Sequence, residues 1–367
     1  MAGSPPDVSR AQVLAYRVAA HQLDRPGLRP ADLAVLGLGV QDTPYGSARL
    51  ALAARGATGP DDQLELVWSL RGAPHLHRGA ALPALAAAIW PLSDADATRR
   101  ISGQIGAGAR LGLAAFRAAA EAFRAVVTAE LPKGEVSRAV SDRIPAELSY
   151  ECRACRSRHI SGALFQQAGL AGGVRLAVSG RAARLAPLPG WSGPPAGAAG
   201  TADLVATYLR LLGPATPADA AGFLGTTATE LRAVWPAGLA EVRVDGRAAW
   251  LPADRLDALT GAQPAGLVRL LPPGDPYLAA RDRDLLVPQR AHQQQLWRVI
   301  GNPGALLVDG EVAGTWRSRQ AARGRLEVTV TPFGVLPARV TRAIDAEAAT
   351  VADARGATNL RVHVEAA

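Results

Sequence analysis

The chain predicts an α+β fold: three tandem winged-helix modules, each a helix cluster followed by a β-wing, and a C-terminal, mostly β scaffold domain. Three observations predict it. Stretches of helical periodicity are followed by short alternating runs that reverse at glycine, near residues 72 and 172 and again at Asp245-Gly246. A run rich in proline and glycine, from Pro187 to Gly200, separates two such units. Beyond Gly266 the pattern changes to short β-like runs. The expected organisation is winged helix 1 over 8–92, winged helix 2 over 93–188, a linker over 189–200, winged helix 3 over 201–262 and the β domain over 263–367. A length of 367 residues suits roughly two to three domains, each with its own core.

Taken in order, Ser9 caps a helix over 9–23 that Pro26 and Pro30 end. Helical pieces over 31–36 and 45–55 flank a Gly-rich stretch, and residues 64–78 read as a hairpin turning at 72–74. The capping signal Ser93-Asp94-Ala95-Asp96 opens the second module, with a long helix over 111–131 and a short one over 133–143. Residues 164–185 then read as strands. In the third module, helices over 202–212, from Thr216 and over 227–234 precede a hairpin over 242–251, where Asp-Gly is a strong type I′ signal. A small helical bundle with an incidental hairpin is the alternative there. Strands over 268–271, 306–308, 312–317 and 326–332, a helix over 341–354 and a closing strand over 360–364 make up the remainder.

The formal charge is +8 and the pI near 10.4, almost wholly from arginine, because Lys133 is the only lysine. That points to a polyanionic partner, and arginine's bidentate fork favours nucleic acid. A GC-rich genome produces the same arginine-for-lysine bias, which halves the weight of the argument. The first ten residues lack the apolar core of a signal peptide, and no apolar run reaches the ~18 residues of a membrane span. With only two cysteines, the reading is a cytoplasmic, nucleoid-associated protein in a reducing compartment. A monomer is expected, with no membrane partner.

The chemistry-bearing stretch is Val35-Leu36-Gly37-Leu38-Gly39-Val40-Gln41-Asp42-Thr43-Pro44, where two glycines and a polar triplet interrupt an apolar run. A glutamine amide can hold a water by accepting one hydrogen bond while donating others. The plainer reading makes Gln41-Asp42-Thr43 a helix-capping turn.

Leu36 to Ala54, LGLGVQDTPYGSARLALAA, resembles the N-terminal active-site segment of the bacterial winged-helix DNA glycosylases of the AlkZ and AlkX (YcaQ) type. That family's motif is Gln-x-Gln or Gln-x-Asp ahead of Asp-Pro or Thr. Gln41 falls on its second position and Gly39 on its first, where the family carries a glutamine. WSLRGAPHLHR, CRACRSRHI, DPYLAARDR and LWRVIGNPGALLVDGEVAGTWR extend the resemblance over nearly the whole chain. It implies a C-shaped clamp on double-stranded, alkylated DNA and monofunctional hydrolysis of the N-glycosidic bond of N-alkylated purines, with interstrand crosslinks as further substrates, in repair or self-resistance. Gln41 would hold the water, with Asp42 as a nearby negative charge. No cofactor and no metal are implied. The alternative is a DNA-binding protein without catalysis, a regulator or damage-sequestering factor, and Gly39 favours it.

The candidate DNA contacts are Arg49 and Arg55 after the motif and Arg71, His75, His77 and Arg78 in the first wing. Alternate His75 and His77 share one face of a strand, either towards phosphates or as part of a solvated basic hairpin. Cys152, Cys155 and His159 have the look of half a zinc site, but a fourth ligand is missing, and a buried or redox-silent pair is the simpler reading. Asp275-Pro276-Tyr277 and Arg281-Asp282-Arg283 read as a salt-bridged structural turn, and His292 to Gln295 as a solvated helix face.

Overall fold

A five-stranded sheet carries the C-terminal part of the chain. Its strands are Val268–Leu271, Gly304–Val308, Glu311–Gln320, Arg325–Pro332 and Asn359–Val364, side by side in sequence order. The first three pairings are antiparallel and the last is parallel. A parallel pairing needs a long crossover, and the helix Ala338–Ala354 supplies it. Leu326, Val328 and Val330 alternate inwards and meet Val340, Ile344, Ala348 and Val351 of that helix. Trp316 joins the same core, with its indole N–H donating to Leu271 O at 2.7 Å. Gly304 stands opposite Trp316, where a Cβ would lie 2.2 Å from the indole nitrogen, so no larger residue fits.

The structure is a computed structural model and describes residues 4–24, 27–153, 156–179, 182–321 and 324–366. It is an α+β fold divided into two compact units. The first comprises Met1–Asp61, Ala206–Asp219 and Ala237–Ala367, and the second Asp62–Val205 and Ala220–Pro236. This division runs across the sequence-expected modules, because residues 8–92 part at 61 and residues 201–262 are shared. The physical reason lies in packing: Leu50 and Ala53, of the helix Ser47–Ala53, are buried in the core of the C-terminal sheet.

In the first unit the helix Arg10–Ala20 opens with a capping box between Ser9 and Gln12. The hairpin Leu239–Val244 and Arg247–Pro252 turns through Asp245 and Gly246, both at positive φ (50° and 76°), as a type I′ turn requires. Two ion pairs tie the early helices to the segment 275–282. Arg17 meets Asp282 at 2.5 and 3.1 Å. Arg55 meets Asp275 through two bonds of 2.9 Å, and both side chains are fully buried. Arg55 also donates to Ala51 O and His21 O, while Asp275 accepts from Tyr277 N–H, so the charges are solvated by the protein itself.

In the second unit the helix Leu113–Val126 buries Ala115, Phe116, Ala119, Ala120 and Phe123 at helical spacing. Phe165 packs on Phe123 and on Trp68 of the hairpin Leu64–Trp68 and Pro74–Arg78. Residues 164–168, expected as strand, lie in the helix Gly162–Ala168, and the strands begin only at Val174. The short apolar run there fits either period, and packing against the helix Leu113–Val126 decides it. The expected linker at 189–200 is fastened down: Trp191 Nε1 donates to Ala171 O, Arg117 to Ala196 O and Ala199 N to Ala87 O.

Removing one partner of the Arg55–Asp275 pair leaves a buried charge uncompensated. Asp275→Ala is expected to destabilise the protein by about 3–5 kcal/mol, read as a lowered urea midpoint. The double variant Arg55→Met with Asp275→Leu should lose much less, and equal loss in both would show that the pair's charges are not what matters.

Candidate active site

Gln41 and Asp42 lie where the chain leaves a 3-10 turn, Ala34–Gly37, and enters the two-residue strand Val40–Gln41. Gly39 makes the junction at φ +82°, in the left-handed region that side chains rarely adopt. Successive side chains of an extended segment point to opposite faces. Val40 and Asp42 are therefore buried while Gln41, between them, is half-exposed.

This alternation separates the two readings of the triplet. Asp42 is the cap: its carboxylate accepts from Ala48 N–H at 2.9 Å and from the Gly46 N–H, at the start of the helix Ser47–Ala53. Burial raises its pKa, and the two backbone N–H groups and the Arg355 guanidinium offset part of that rise. Gln41 takes no part in the cap. Among the described residues, its side-chain amide has no hydrogen-bond partner.

Behind Gln41 stands the start of the Asp275-Pro276-Tyr277 turn, which is salt-bridged as its charges lead one to expect. A Cβ on Gly274, itself at φ +75°, would lie 3.4 Å from Gln41 Cδ and 3.5 Å from Gln41 Cβ. The next residue is Asp275, the partner of Arg55. The ion pair thus fixes both the turn that backs Gln41 and the end of the helix that follows it. Only the run Pro272-Pro273-Gly274-Asp275-Pro276, a rigid turn with one glycine, hinted at this in the sequence.

Several expected DNA contacts are placed otherwise. Arg55 is fully buried and committed to Asp275, so it does not face phosphate. His75 and His77 do share one face of their strand, but it is the buried face. The His77 ring bonds Ser69 Oγ at 2.9 Å and His75 Nδ1 bonds Ala73 O at 2.9 Å, closing the turn of the hairpin. Arg71, at φ +56°, is exposed yet lies 5.5 Å over the Phe223 ring and donates to Phe223 O. Arg78 is half-buried, and Arg49 is exposed on the helix after the motif. Among the described residues no three His, Cys, Asp or Glu side chains form a metal-binding group. Cys155 lies outside the described residues, while Cys152 ends a strand whose Tyr150 faces His159.

The buried His75 makes acid stability a test of this placement. Burial pushes its imidazole down to about 4, with Ala73 O opposing the shift and the Arg71 charge adding to it. The folded pKa lies below the unfolded one, so the unfolded chain takes up the proton first as pH falls. Stability is then lost from about pH 6.5 down to about 4, by on the order of 3 kcal/mol in full. His75→Phe should flatten that limb of the pH–stability curve; an identical limb in the variant would put the ring in water.

Comparisons with known proteins identify the family of the chain. The family model for DNA glycosylase AlkZ-like proteins matches residues 35–354, from the start of the Gln41 stretch to the end of the C-terminal helix. An interstrand DNA cross-link repair glycosylase of Streptomyces sahachiroi is 32% identical over 130 residues, 34% of this chain and 33% of that protein. The aligned stretch therefore spans about a third of the relative's length. The solved structure of Streptomyces sahachiroi DNA glycosylase AlkZ superposes over 98% of this chain and 100% of that one, with a TM-score of 0.73 at 21% identity, a likeness of fold. With a family model covering most of its length, the chain belongs to the AlkZ-like DNA glycosylase family.

Proposed function

We propose that the protein is a monofunctional DNA glycosylase that hydrolyses the N-glycosidic bond of N-alkylated purines in double-stranded DNA. Family membership supports the reaction class. The single observation that carries the site is Gln41: an amide with no hydrogen-bond partner among the described residues, half-exposed, backed by Gly274 and flanked by the buried Asp42 cap. An N7-alkylated purine is already cationic and departs as a neutral heterocycle, so little general-acid help is needed. The remaining requirement is a water held against the anomeric carbon of an oxocarbenium-like transition state. The Gln41 amide oxygen accepts from that water and orients its lone pair at the sugar. Asp42, turned to the opposite face, acts by holding the backbone of this segment.

On this reading the helix clusters and hairpins are tandem winged-helix modules that clamp the duplex, with Arg49, Arg71 and Arg78 as phosphate contacts. The relative's name extends the substrate candidates to interstrand crosslinks. A second reading, a DNA-binding protein without catalysis, draws on Gly39, which supplies no side chain at the first position of the family motif.

Incubation with a duplex containing N7-methylguanine, scored for abasic sites, separates the two readings. Gln41→Ala should lower the single-turnover rate about ten- to a thousandfold, with duplex affinity within a few fold. An unchanged rate would leave Gln41 without a role in excision. Gly39→Gln is expected to lower stability by roughly 1 kcal/mol or more rather than to add a second catalytic amide, because φ there is +82°. For about six phosphate contacts, log K should fall with log salt at a slope near −0.9 per contact; salt-independent affinity would refute the clamp.

A further inference from the structure

Between the helix Arg290–Leu296 and the strand Gly304–Val308 the chain runs through Trp297-Arg298-Val299-Ile300-Gly301-Asn302-Pro303. Val299 and Ile300 are 102% and 87% exposed, two adjacent β-branched residues entirely in water. Single exposed apolar residues are ordinary. This pair differs because the loop presenting it is anchored at both ends. Leu296 and Pro303 are buried on either side. Arg317, from the neighbouring strand, donates to Gly301 O at 2.6 Å. The Arg283 guanidinium lies 4.7 Å over the Trp297 ring, and Trp297 N–H closes the helix end on Gln293 O. The tip is thus held out rather than left loose.

Its surroundings select the partner. From Leu285 to Val308 the chain carries Arg290 and Arg298 and no carboxylate. The preceding acid, Asp284, is bonded to the Gln293 amide at 2.8 Å. An apolar point on a cationic base, with arginines able to reach phosphates on either side, matches a nucleic-acid duplex whose backbone is anionic and whose stacked bases are apolar. Isoleucine is among the residues that proteins drive between base steps, opening the stack while basic side chains grip the flanking phosphates.

We propose that the Val299-Ile300 tip is a wedge that enters the base stack of duplex DNA, with Ile300 as the inserting side chain and Arg298 and Arg290 on the adjoining phosphates. The proposal rests on the duplex reading given above, and it adds how the target nucleotide leaves the stack. A purine with no covalent tie to the opposite strand is extruded before its glycosidic bond is accessible, and a side chain filling the gap holds it out.

The test uses the full-length protein and a duplex with 2-aminopurine next to a tetrahydrofuran abasic-site analogue, since unstacked 2-aminopurine brightens. The parent should raise the fluorescence. Val299→Ser with Ile300→Ser should abolish that rise while keeping duplex affinity within about threefold and the salt slope unchanged, because the phosphate contacts remain. Excision of N7-methylguanine should fall about tenfold or more in the same variant. A parent that brightens the probe yet excises nothing supports the wedge and defeats the glycosylase reading. A parent that excises while the variant brightens the probe as fully defeats the wedge alone. A shift from dimer to monomer on substitution, seen by sedimentation with the fluorescence response intact, would overturn the proposal by making the tip a contact between copies of the chain.

Discussion

The buried pair between Arg55 and Asp275 is the constraint on which the Gln41 site depends. It joins residues 220 apart in sequence, and each partner anchors one wall of the site. Arg55 closes the helix that Asp42 opens, and Asp275 follows the glycine that stands against Gln41. An ion pair removed from water has a large desolvation penalty, and hydrophobic replacements of similar volume are often as stable. What such a pair supplies is direction, since a bidentate guanidinium–carboxylate geometry admits one relative placement of the two segments. With Arg55 donating to two carbonyls and Asp275 accepting from Tyr277 N–H, few of its bonds are left open. Tyr277 extends the network through its hydroxyl to Gly310 O, and its ring meets His21 edge-on at 5.5 Å.

Arginine richness reads differently once its partners are known. A formal charge of +8 spread over a chain with one lysine suggests a broad cationic surface. Many of the arginines are instead internal fasteners: Arg17 on Asp282, Arg55 on Asp275, Arg100 on Asp96 and Arg269 on Glu347. Each such pair is electrically neutral and adds nothing to attraction for a polyanion. The excess positive charge resides in exposed residues such as Arg49 and Arg298. Composition identifies the sign of the partner, but only burial separates the arginines that can meet it from those that hold the fold.

Local signals were legible in the sequence, and long-range ones were not. The Ser9 cap, the Asp245-Gly246 turn and the hairpin around 72–74 follow from side chains that act within a few residues. The strands expected at 306–308 and 312–317 were legible for the same reason, since only the two-residue turn Asp309-Gly310 joins them. By contrast, nothing near Arg55 announces a partner at 275, and the histidines of the first hairpin alternate as they would on either a wet or a dry face. Which face is dry depends on how the hairpin packs, with Val67, the cross-strand neighbour of His75, buried beside it, and that is a property of the whole unit. Residues 164–168 failed on the same ground, an apolar run whose period its neighbours decide.

Gly39 bears on the chemistry through its backbone. At φ +82° it turns the chain so that Val40 goes into the core, Gln41 faces out and Asp42 turns back to cap the next helix. A side chain at that position would have to overcome left-handed strain, so the site as built has one amide where the family motif has two polar groups. One amide can position a water but does little to stabilise a departing anion. A base that leaves as a neutral molecule needs only the first of these, whereas an undamaged purine needs both. On the proposed reading, the loss of the first motif side chain confines the enzyme to bases made cationic by alkylation, and selectivity against normal DNA follows from the weakness of the catalytic apparatus.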